Sequence, residues 1–425
     1  MSIKTPKILS VNTSDTSGGA ARAAYRILKG VQSLGVKAQM FVKTKHSEDN
    51  TVISLDRFVP KNIFYRIFRW CRTKVKNKIQ HYQWSRYPNR EKIFMSDLRS
   101  TALHGALQKL DYDVLHLHWV NLRFLDLKEL RKVKKPIVWT LHDSWTFCGI
   151  CHYFYECENY KISCGRCPFL HSEKQQDLSC QVWKKKQKAY QGLDLHIVTP
   201  SQWLADCAKE SALLQQFPVT VIPNCLDIDV YKPLDKEETL RKLNLFANKK
   251  RILYGAVNAL TDSNKGFRQL IEALKYLEKN IDVSEYELLV FGADKSLEEM
   301  QTSISIKYLG YLGEEAIVTA YNIADAMVVP SLSEVFGQTA SEALACGTPV
   351  VAFNCSGIKE VVNHKINGYL AEAFDTEDFG KGILWCLENN EDKSLSLNAR
   401  QKVEENYTIE KVCREYLNFY KSVMQ

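Results

Sequence analysis

A chain of 425 residues with 45% hydrophobic and 25% charged content is an ordinary globular protein, too long for one core and suited to two domains of roughly 200 residues each. No run approaches 18 consecutive apolar residues, and the N-terminal MSIKTPKILSVNTSD lacks the apolar stretch of a signal peptide, so the expected location is the cytoplasm. The net charge of +8 is unevenly spread: residues 57–92 hold eleven Lys and Arg against one acid, Glu91, which implies a local basic surface and excludes a general nucleic-acid binder.

Residues 7–12, KILSVN, read as a buried strand running through TSDTSGG into a helix over about 20–34. Gly18 and Gly19 let backbone approach a ligand at a helix N-terminus, a phosphate-site layout, although the same pair also serves a plain strand-to-helix turn. Residues 36–42 form a second strand. Residues 60–79 then put Ile63, Phe64, Ile67, Phe68, Cys71, Val75 and Ile79 on one helical stripe, with Arg66, Arg69, Arg72, Lys76 and Lys78 largely elsewhere. Such a helix either packs on its own domain or lies in an anionic membrane interface. Large aromatics beside so many cations favour the interface, and with it a peripheral place on the cytoplasmic face of the inner membrane.

Residues 113–119, DVLHLHW, form a strand whose His116 and His118 share a face, a pattern more usual for packed or hydrogen-bonded histidines than for catalysts. The next strand, 137–141, delivers His142 and Asp143 to its carboxyl end, where α/β folds place ligand-binding residues. There follows CGICHYFYECENYKISCGRCP, with Cys148, Cys151, Cys157, Cys164 and Cys167 inside twenty residues. Cys151, Cys157, Cys164 and Cys167 are spaced C-x5-C-x6-C-x2-C, compatible with a structural zinc that staples a long loop, Cys148 being a substitute ligand. Reduced thiols and disulfides are the other readings, the latter disfavoured by a reducing compartment.

Strands at 196–201 and 219–224 close the first domain, with the helix SQWLADCAKES between them, and 224–233 reads as the linker. The second domain opens with a polar helix, a strand at 251–257 and the loop NALTDSNKGF, which places Lys265 and Gly266 at the start of a helix. A cation there sits well against a diphosphate. Further strands at 286–291 and 306–309 continue the alternation of strand and helix, which predicts an α/β protein built from two doubly wound parallel sheets. The expected divisions are 1–223, 224–402 and a terminal segment 403–425.

The densest signal is residues 326–362. A strand at 327–329 gives way to a loop at 334–337; a helix opening at Gln338 is stopped by Gly347 and Pro349. Glu334 then lies in the loop and Glu342 about one turn inside the helix, with the N–H groups of Gly337, Gln338 and Thr339 facing the same crevice. Anion-seeking amides beside two hydroxyl-seeking carboxylates suit a sugar nucleotide.

The segment SEVFGQTASEALACGTPVVAF resembles the donor-binding signature of retaining glycosyltransferases of the GT-B fold, glycosyltransferase family 4 type. The resemblance implies two Rossmann-like domains facing a cleft, the first binding the acceptor and the second a nucleotide-diphosphate sugar. It assigns Glu334 to the transferred sugar and Glu342 to the ribose, the Phe336 and Gly337 amides to sugar and phosphate, the glycine loop at Gly18 and Gly19 to the donor phosphates, and His142 to the sugar. The loop at 310–314 falls near the nucleotide base, and the last amphipathic stretch, 409–423, packs back on the first domain. The family carries an Arg six to nine residues before its Lys; here that region reads Ala256, Val257 and Asn258, so charge stabilisation rests on Lys265, on backbone amides and on Arg268. A diphosphate leaving group able to take the acceptor's proton removes the need for a metal cofactor in catalysis. A similar Cys-rich insert occurs in a subset of family members that build extracellular polysaccharide, which implies polysaccharide or capsule synthesis, and the basic segment at 57–92 points to a glycan acceptor that is lipid-linked. The rival readings are a sugar-nucleotide epimerase on the same fold and a zinc-stapled basic interaction module.

Overall fold

Near-continuous apolar runs, the mark of strands covered on both faces, set the architecture. The computed structural model describes residues 5–96, 98, 105–243, 245, 249–294 and 302–425, and it divides into two compact units, residues 1–222 with 413–425, and residues 223–412. In the first unit the strands are β1 (Lys7–Ser14), β2 (Lys37–Thr44), β3 (Val52–Ser54), β4 (Val114–Leu117), β5 (Ile137–Thr140), β6 (Leu195–Thr199) and β7 (Val219–Val221). They form one parallel sheet ordered β3-β2-β1-β4-β5-β6-β7. Its main helices are α1 (Gly19–Ser33), α2 (Ile63–Ser85), α3 (Leu178–Tyr190) and α4 (Gln202–Glu210).

The second unit follows α5 (Lys236–Lys242) with β8 (Lys250–Gly255), α6 (Phe267–Asn280), β9 (Tyr286–Phe291), β10 (Ser305–Gly310), α7 (Glu314–Ile323), β11 (Ala326–Val329), α8 (Gln338–Ala345), β12 (Val350–Phe353) and β13 (Gly368–Ala371). The helices α9 (Thr376–Glu388), α10 (Ser394–Asn406) and α11 (Ile409–Ser422) end the chain. This sheet is again parallel, in the order β10-β9-β8-β11-β12-β13. Strand alternation divides its core into two layers: Leu253, Met327, Val329 and Val350 face one, and Ile252, Val328, Val351 and Phe353 the other. Both sheets are doubly wound, the GT-B architecture that the sequence predicts.

In each sheet the strand order reverses once, between β1 and β4 and between β8 and β11. A reversal leaves the connections diverging to opposite faces, which opens a crevice at the carboxyl ends of the two strands. The loops that carry Gly18, His118, Lys265 and Glu334 all leave those four strands.

Several elements differ from the sequence reading. The edge strands β3 and β13 are three and four residues long, too short for a period to register. The segment expected as a linker is built into the second unit: Tyr231 is buried and Leu226 exchanges backbone hydrogen bonds with Tyr407 and Ile409. The basic helix runs six residues beyond its expected end, to Ser85, after an N-cap in which Asn62 Oδ1 accepts from the Tyr65 N–H at 2.7 Å.

At the head of α6, Gly266 holds φ +70°, and a Cβ there would overlap the carbonyl of Pro330, which follows β11. The loops after β8 and β11 pack this closely because glycine has no side chain. Gly266→Ala is therefore expected to destabilise the protein by about 2 kcal/mol or more, from left-handed strain plus displacement of the Pro330 loop. A chemical denaturation midpoint equal to that of the parent chain would contradict this.

Candidate active site

In the second unit the two loops at the β8/β11 reversal are laced together by backbone-directed contacts. The buried Asn264 donates from Nδ2 to the Ser333 carbonyl at 2.9 Å and accepts at its own carbonyl from the Leu332 N–H at 2.9 Å. Tyr254 Oη, at the end of β8, lies 2.6 Å from the Ala259 carbonyl and 3.2 Å from that of Lys265. One residue beyond this lacing on each loop, Lys265 Nζ meets Glu334 Oε1 at 2.7 Å, with side chains 20% and 18% exposed. Glu334 is fixed in turn through its backbone: its N–H donates to Ser356 Oγ at 2.9 Å and its carbonyl accepts from Gly357 at 2.8 Å.

The chain then turns through Gly337 at φ +95° and enters α8 at Gln338. A Cβ at Gly337 would stand 3.1 Å from the Ile358 side chain, so the position favours glycine on both conformational and packing grounds. Phe336 turns its ring into the core against Tyr407, leaving only its backbone for a ligand, while Gln338 and Thr339 are half-buried in the first turn. Glu342 is 2% exposed and accepts from Tyr321 Oη at 3.0 Å. Tyr321 has no separate signal in the sequence, since it reads as one more apolar residue of α7. Arg268 is exposed on the first turn of α6.

In the first unit Gly18 caps α1 at φ +94° with Gly19 as the first helical residue. Asp15, fully buried, braces this loop by accepting from the His46 and Ser47 N–H groups at 2.9 and 2.8 Å. Burial works to raise its carboxyl, but these hydrogen bonds outweigh it and hold the pKa below the usual range.

Three histidine rings gather at the ends of β4 and β5. His116 lies 4.0 Å from His118, centroid to centroid, and His118 Nδ1 lies 3.1 Å from His142 Nε2. His116 is closed on its other sides by Thr140 Oγ1 at 2.8 Å and by Tyr420 Oη at 2.7 Å, and Tyr416 reaches Thr140 at 3.1 Å. Both tyrosines come from the part of α11 that belongs to this unit. Burial drives the histidine pKa values down, His116 to about 3 and His142 to about 4, with His118 well below its usual value. Asp143 is fully committed internally, accepting from Trp119 Nε1 at 2.7 Å and the Trp145 N–H at 2.9 Å and meeting His152 Nδ1 at 2.5 Å. It is a brace for the turn after β5.

Beyond that turn Cys148, Cys151, Cys164 and Cys167 are buried and Cys157 is half-buried. Among the described residues no group of three or more His, Cys, Asp or Glu side chains is placed as a metal centre requires. The insert is tied down by a residue that the sequence hides. Lys186, fully buried within the otherwise exposed run of Lys184, Lys185 and Lys188, sends its ammonium to the carbonyls of Trp145, Cys148 and Gly149 and over the Trp145 ring. Burial pulls its pKa down to about 7. The helix α2 presents its whole apolar stripe to solvent, Phe64 at 82% exposure, with Ile67, Phe68, Trp70 and Val75 also exposed; the side chain of Arg69 lies outside the described residues. No helix among the described residues is long and apolar enough to cross a membrane.

Two doubly wound parallel sheets make this a protein of the GT-B fold. The profile of Glycosyltransferase Family 4 matches residues 17–230, just over half of the chain, and that of Glycosyl transferases group 1 matches residues 235–406; the chain belongs to glycosyltransferase family 4. An uncharacterized glycosyltransferase of Methanocaldococcus jannaschii is 24% identical over 78% of this chain and 81% of its own length. WcaC of Escherichia coli, assigned to colanic acid biosynthesis, is 24% identical over 74% of this chain and 76% of its own length. Among solved structures, Anabaena HepE in complex with UDP-glucose superposes with a TM-score of 0.64 at 16% identity, covering 98% of this chain and 100% of its own.

The depressed histidines carry a pH prediction. Each is neutral in the fold, so the unfolded chain takes up protons first as pH falls below about 6.5, and stability is lost from there down toward the folded values, about 3 for His116 and about 4 for His142. His116 and His118, both fully buried, dominate, and the half-buried His142 adds less. Stability is expected to drop by about 2 kcal/mol or more between pH 7 and pH 5, at roughly 1.4 kcal/mol per pH unit for each such ring. Denaturant midpoints unchanged across that window would contradict the assignment.

Proposed function

We propose that the protein is a retaining hexosyltransferase that moves a sugar from a nucleotide-diphosphate donor to a glycan or lipid-linked acceptor in polysaccharide biosynthesis. The observation that carries this reading is the Lys265–Glu334 ion pair, 2.7 Å long, at the carboxyl ends of the adjacent strands β8 and β11, with Glu342 one turn along α8. A sugar nucleotide has the charges and hydroxyls that these groups seek. Lys265 faces the diphosphate, Glu334 accepts from sugar hydroxyls, and Glu342, one oxygen of which is held by Tyr321, accepts from the ribose. The backbone of Phe336, Gly337, Gln338 and Thr339 lines the phosphates. HepE, crystallised with UDP-glucose, and WcaC, assigned to colanic acid biosynthesis, support the donor class and the polymer setting.

In the chemical step the bond from the anomeric carbon to the diphosphate oxygen breaks through an oxocarbenium-like state, and the acceptor oxygen forms its bond on the same face. The acceptor's proton passes to the departing diphosphate oxygen. Lys265 stabilises the charge that builds there, and no step passes through a metal. His142, in the first unit, offers a saccharide a neutral ring, its low pKa leaving it uncharged at physiological pH. Product analysis with UDP-, GDP- and ADP-sugars tests the whole: nucleotide is released only when an acceptor is present, and the new linkage keeps the donor's anomeric configuration. Release without acceptor, or inversion, would overturn it.

Glu334→Ala is expected to lower turnover while Glu342→Ala weakens nucleotide affinity, each by about 1.5–3 kcal/mol, the worth of a hydrogen bond to a charged group. Undiminished activity in both variants would remove the donor site from this region.

The exposed face of α2 fits the surface of an anionic bilayer, because its aromatics insert and each nearby Lys or Arg adds on the order of 1 kcal/mol within a Debye length of about 8 Å. Binding to vesicles that contain anionic lipid is expected, weakened by salt and by Arg66, Arg69 and Arg72 changed to Glu. Equal binding to neutral and anionic vesicles, or none to either, would speak for a soluble acceptor.

Zinc at Cys151, Cys157, Cys164 and Cys167 stays a proposal that rests on the donor chemistry, soft thiols gathered in one insert beside the Lys186 ammonium. Elemental analysis of protein purified without added metal is expected to find one zinc per chain, lost together with thermal stability in Cys164→Ser, Cys167→Ser. A metal-free chain of full stability would show that the insert is held without zinc.

A further inference from the structure

The histidine cluster at the ends of β4 and β5 determines more than the charge of His142. His118 is 2% exposed, and its ring has two nitrogens with different surroundings. Nδ1 lies 3.1 Å from His142 Nε2, with the two rings 29° from coplanar, the geometry of an in-plane hydrogen bond. Nε2 is buried and has no partner among the described residues. A neutral imidazole carries one proton. If that proton sat on Nε2, it would be a buried N–H with no acceptor, a rarer arrangement in folded proteins than an acceptor whose lone pair goes unused. The proton therefore sits on Nδ1, where it donates to His142.

The consequence passes to His142. Its Nε2 must accept, so the single proton of this neutral ring lies on Nδ1, and Nδ1 of the half-buried ring has no partner among the described residues. The cluster is held in this arrangement from behind. The His118 N–H donates to the Val11 carbonyl at 2.9 Å, its carbonyl accepts from Trp139 Nε1 at 2.9 Å, and His116 is packed against its ring. Tyr420 and Thr140 saturate both nitrogens of His116, so His116 does not compete for the His118–His142 hydrogen bond. The low pKa values of all three rings agree with a neutral chain of hydrogen bonds.

We propose that His118 is a positioning residue that fixes His142 as the Nδ1–H tautomer, so that His142 offers a neutral hydrogen-bond donor to an oxygen acceptor on a bound saccharide and does not act as a base. The role toward a saccharide rests on the function proposed above, but the tautomer is a property of the free protein and is tested without any substrate.

The experiment is 15N–1H correlation through the ring carbons of the full chain labelled at histidine, with His142 assigned by the signals lost in His142→Gln. The result expected is one tautomer at His142, Nδ1 protonated and Nε2 bare, with the reverse donor–acceptor relation at His118, whose Nδ1 is also protonated. His118→Asn places an amide N–H close to the lost Nδ1–H and is expected to keep the His142 tautomer, whereas His118→Ala is expected to lose it and give two averaging forms. An Nε2-protonated or charged His142 in the parent protein overturns the proposal, as does an unchanged Nδ1–H signature in His118→Ala. The parent measurement stands by itself if the alanine variant does not fold. A single Nδ1–H tautomer in a protein that transfers no sugar would refute the function, and with it the role toward a saccharide, and leave the positioning of His142 by His118 standing.

Discussion

The chemistry proposed for this protein turns on one ion pair, Lys265 with Glu334, and that pair exists because two loops are laced one residue behind it. Asn264 ties its loop to Leu332 and Ser333 through both its side chain and its backbone, and Gly266 lets the two chains approach without a Cβ between them. With each side chain about one-fifth exposed, the pair is neither a surface bridge of negligible worth nor a fully dehydrated one whose burial cancels its gain. Each charge stays compensated while the site holds no donor. A diphosphate, carrying more negative charge than a single carboxylate, competes for the lysine on Coulombic grounds and frees Glu334 to accept from sugar hydroxyls. In the proposed mechanism the resting pair and the working site are two partnerings of the same two residues.

The reversal of strand order supplies the place for this pair. Each sheet runs outward from its first strand in one direction and then resumes on that strand's other side, so the loops after β1 and β4, and after β8 and β11, leave toward opposite faces. Each unit carries its cluster there, glycine loop and histidines in one, lysine and glutamates in the other. The two clusters differ in character. The first is a set of neutral rings driven below their ordinary pKa by burial, the second a partly exposed ion pair beside a buried glutamate. A neutral donor suits recognition of a hydroxyl, and a cation suits a leaving group that gathers charge.

What the sequence discloses is local. The break from β11 to α8 is written in Gly337, and the end of that helix in Gly347 and Pro349, so the register of Glu334 and Glu342 follows from spacing alone. The alternation of strands and helices gives both parallel sheets, because buried strands and amphipathic helices differ in period. The partners of the site residues are another matter. Tyr321 reaches Glu342 across 21 residues, Asn264 reaches Ser333 across 69, and Tyr420 reaches His116 across 304, and no period encodes such pairings. Lys186 is hidden for a different reason: in a run of lysines nothing local marks the one that turns inward to cap three carbonyls. The cysteine spacing likewise gives the donors and not their convergence, since a loop of that length has many ways to place four thiols.

The most direct test of the account is calorimetric comparison of a nucleoside with its diphosphate, for the bases uracil, guanine and adenine, on the parent chain and on Lys265→Ala. If the Lys265–Glu334 pair opens to receive a diphosphate, one of the three diphosphates binds the parent chain far more tightly than its nucleoside, and the variant loses most of that difference while keeping its affinity for the nucleoside. No binding of any diphosphate, or a preference for diphosphate that survives the loss of the lysine, would contradict it.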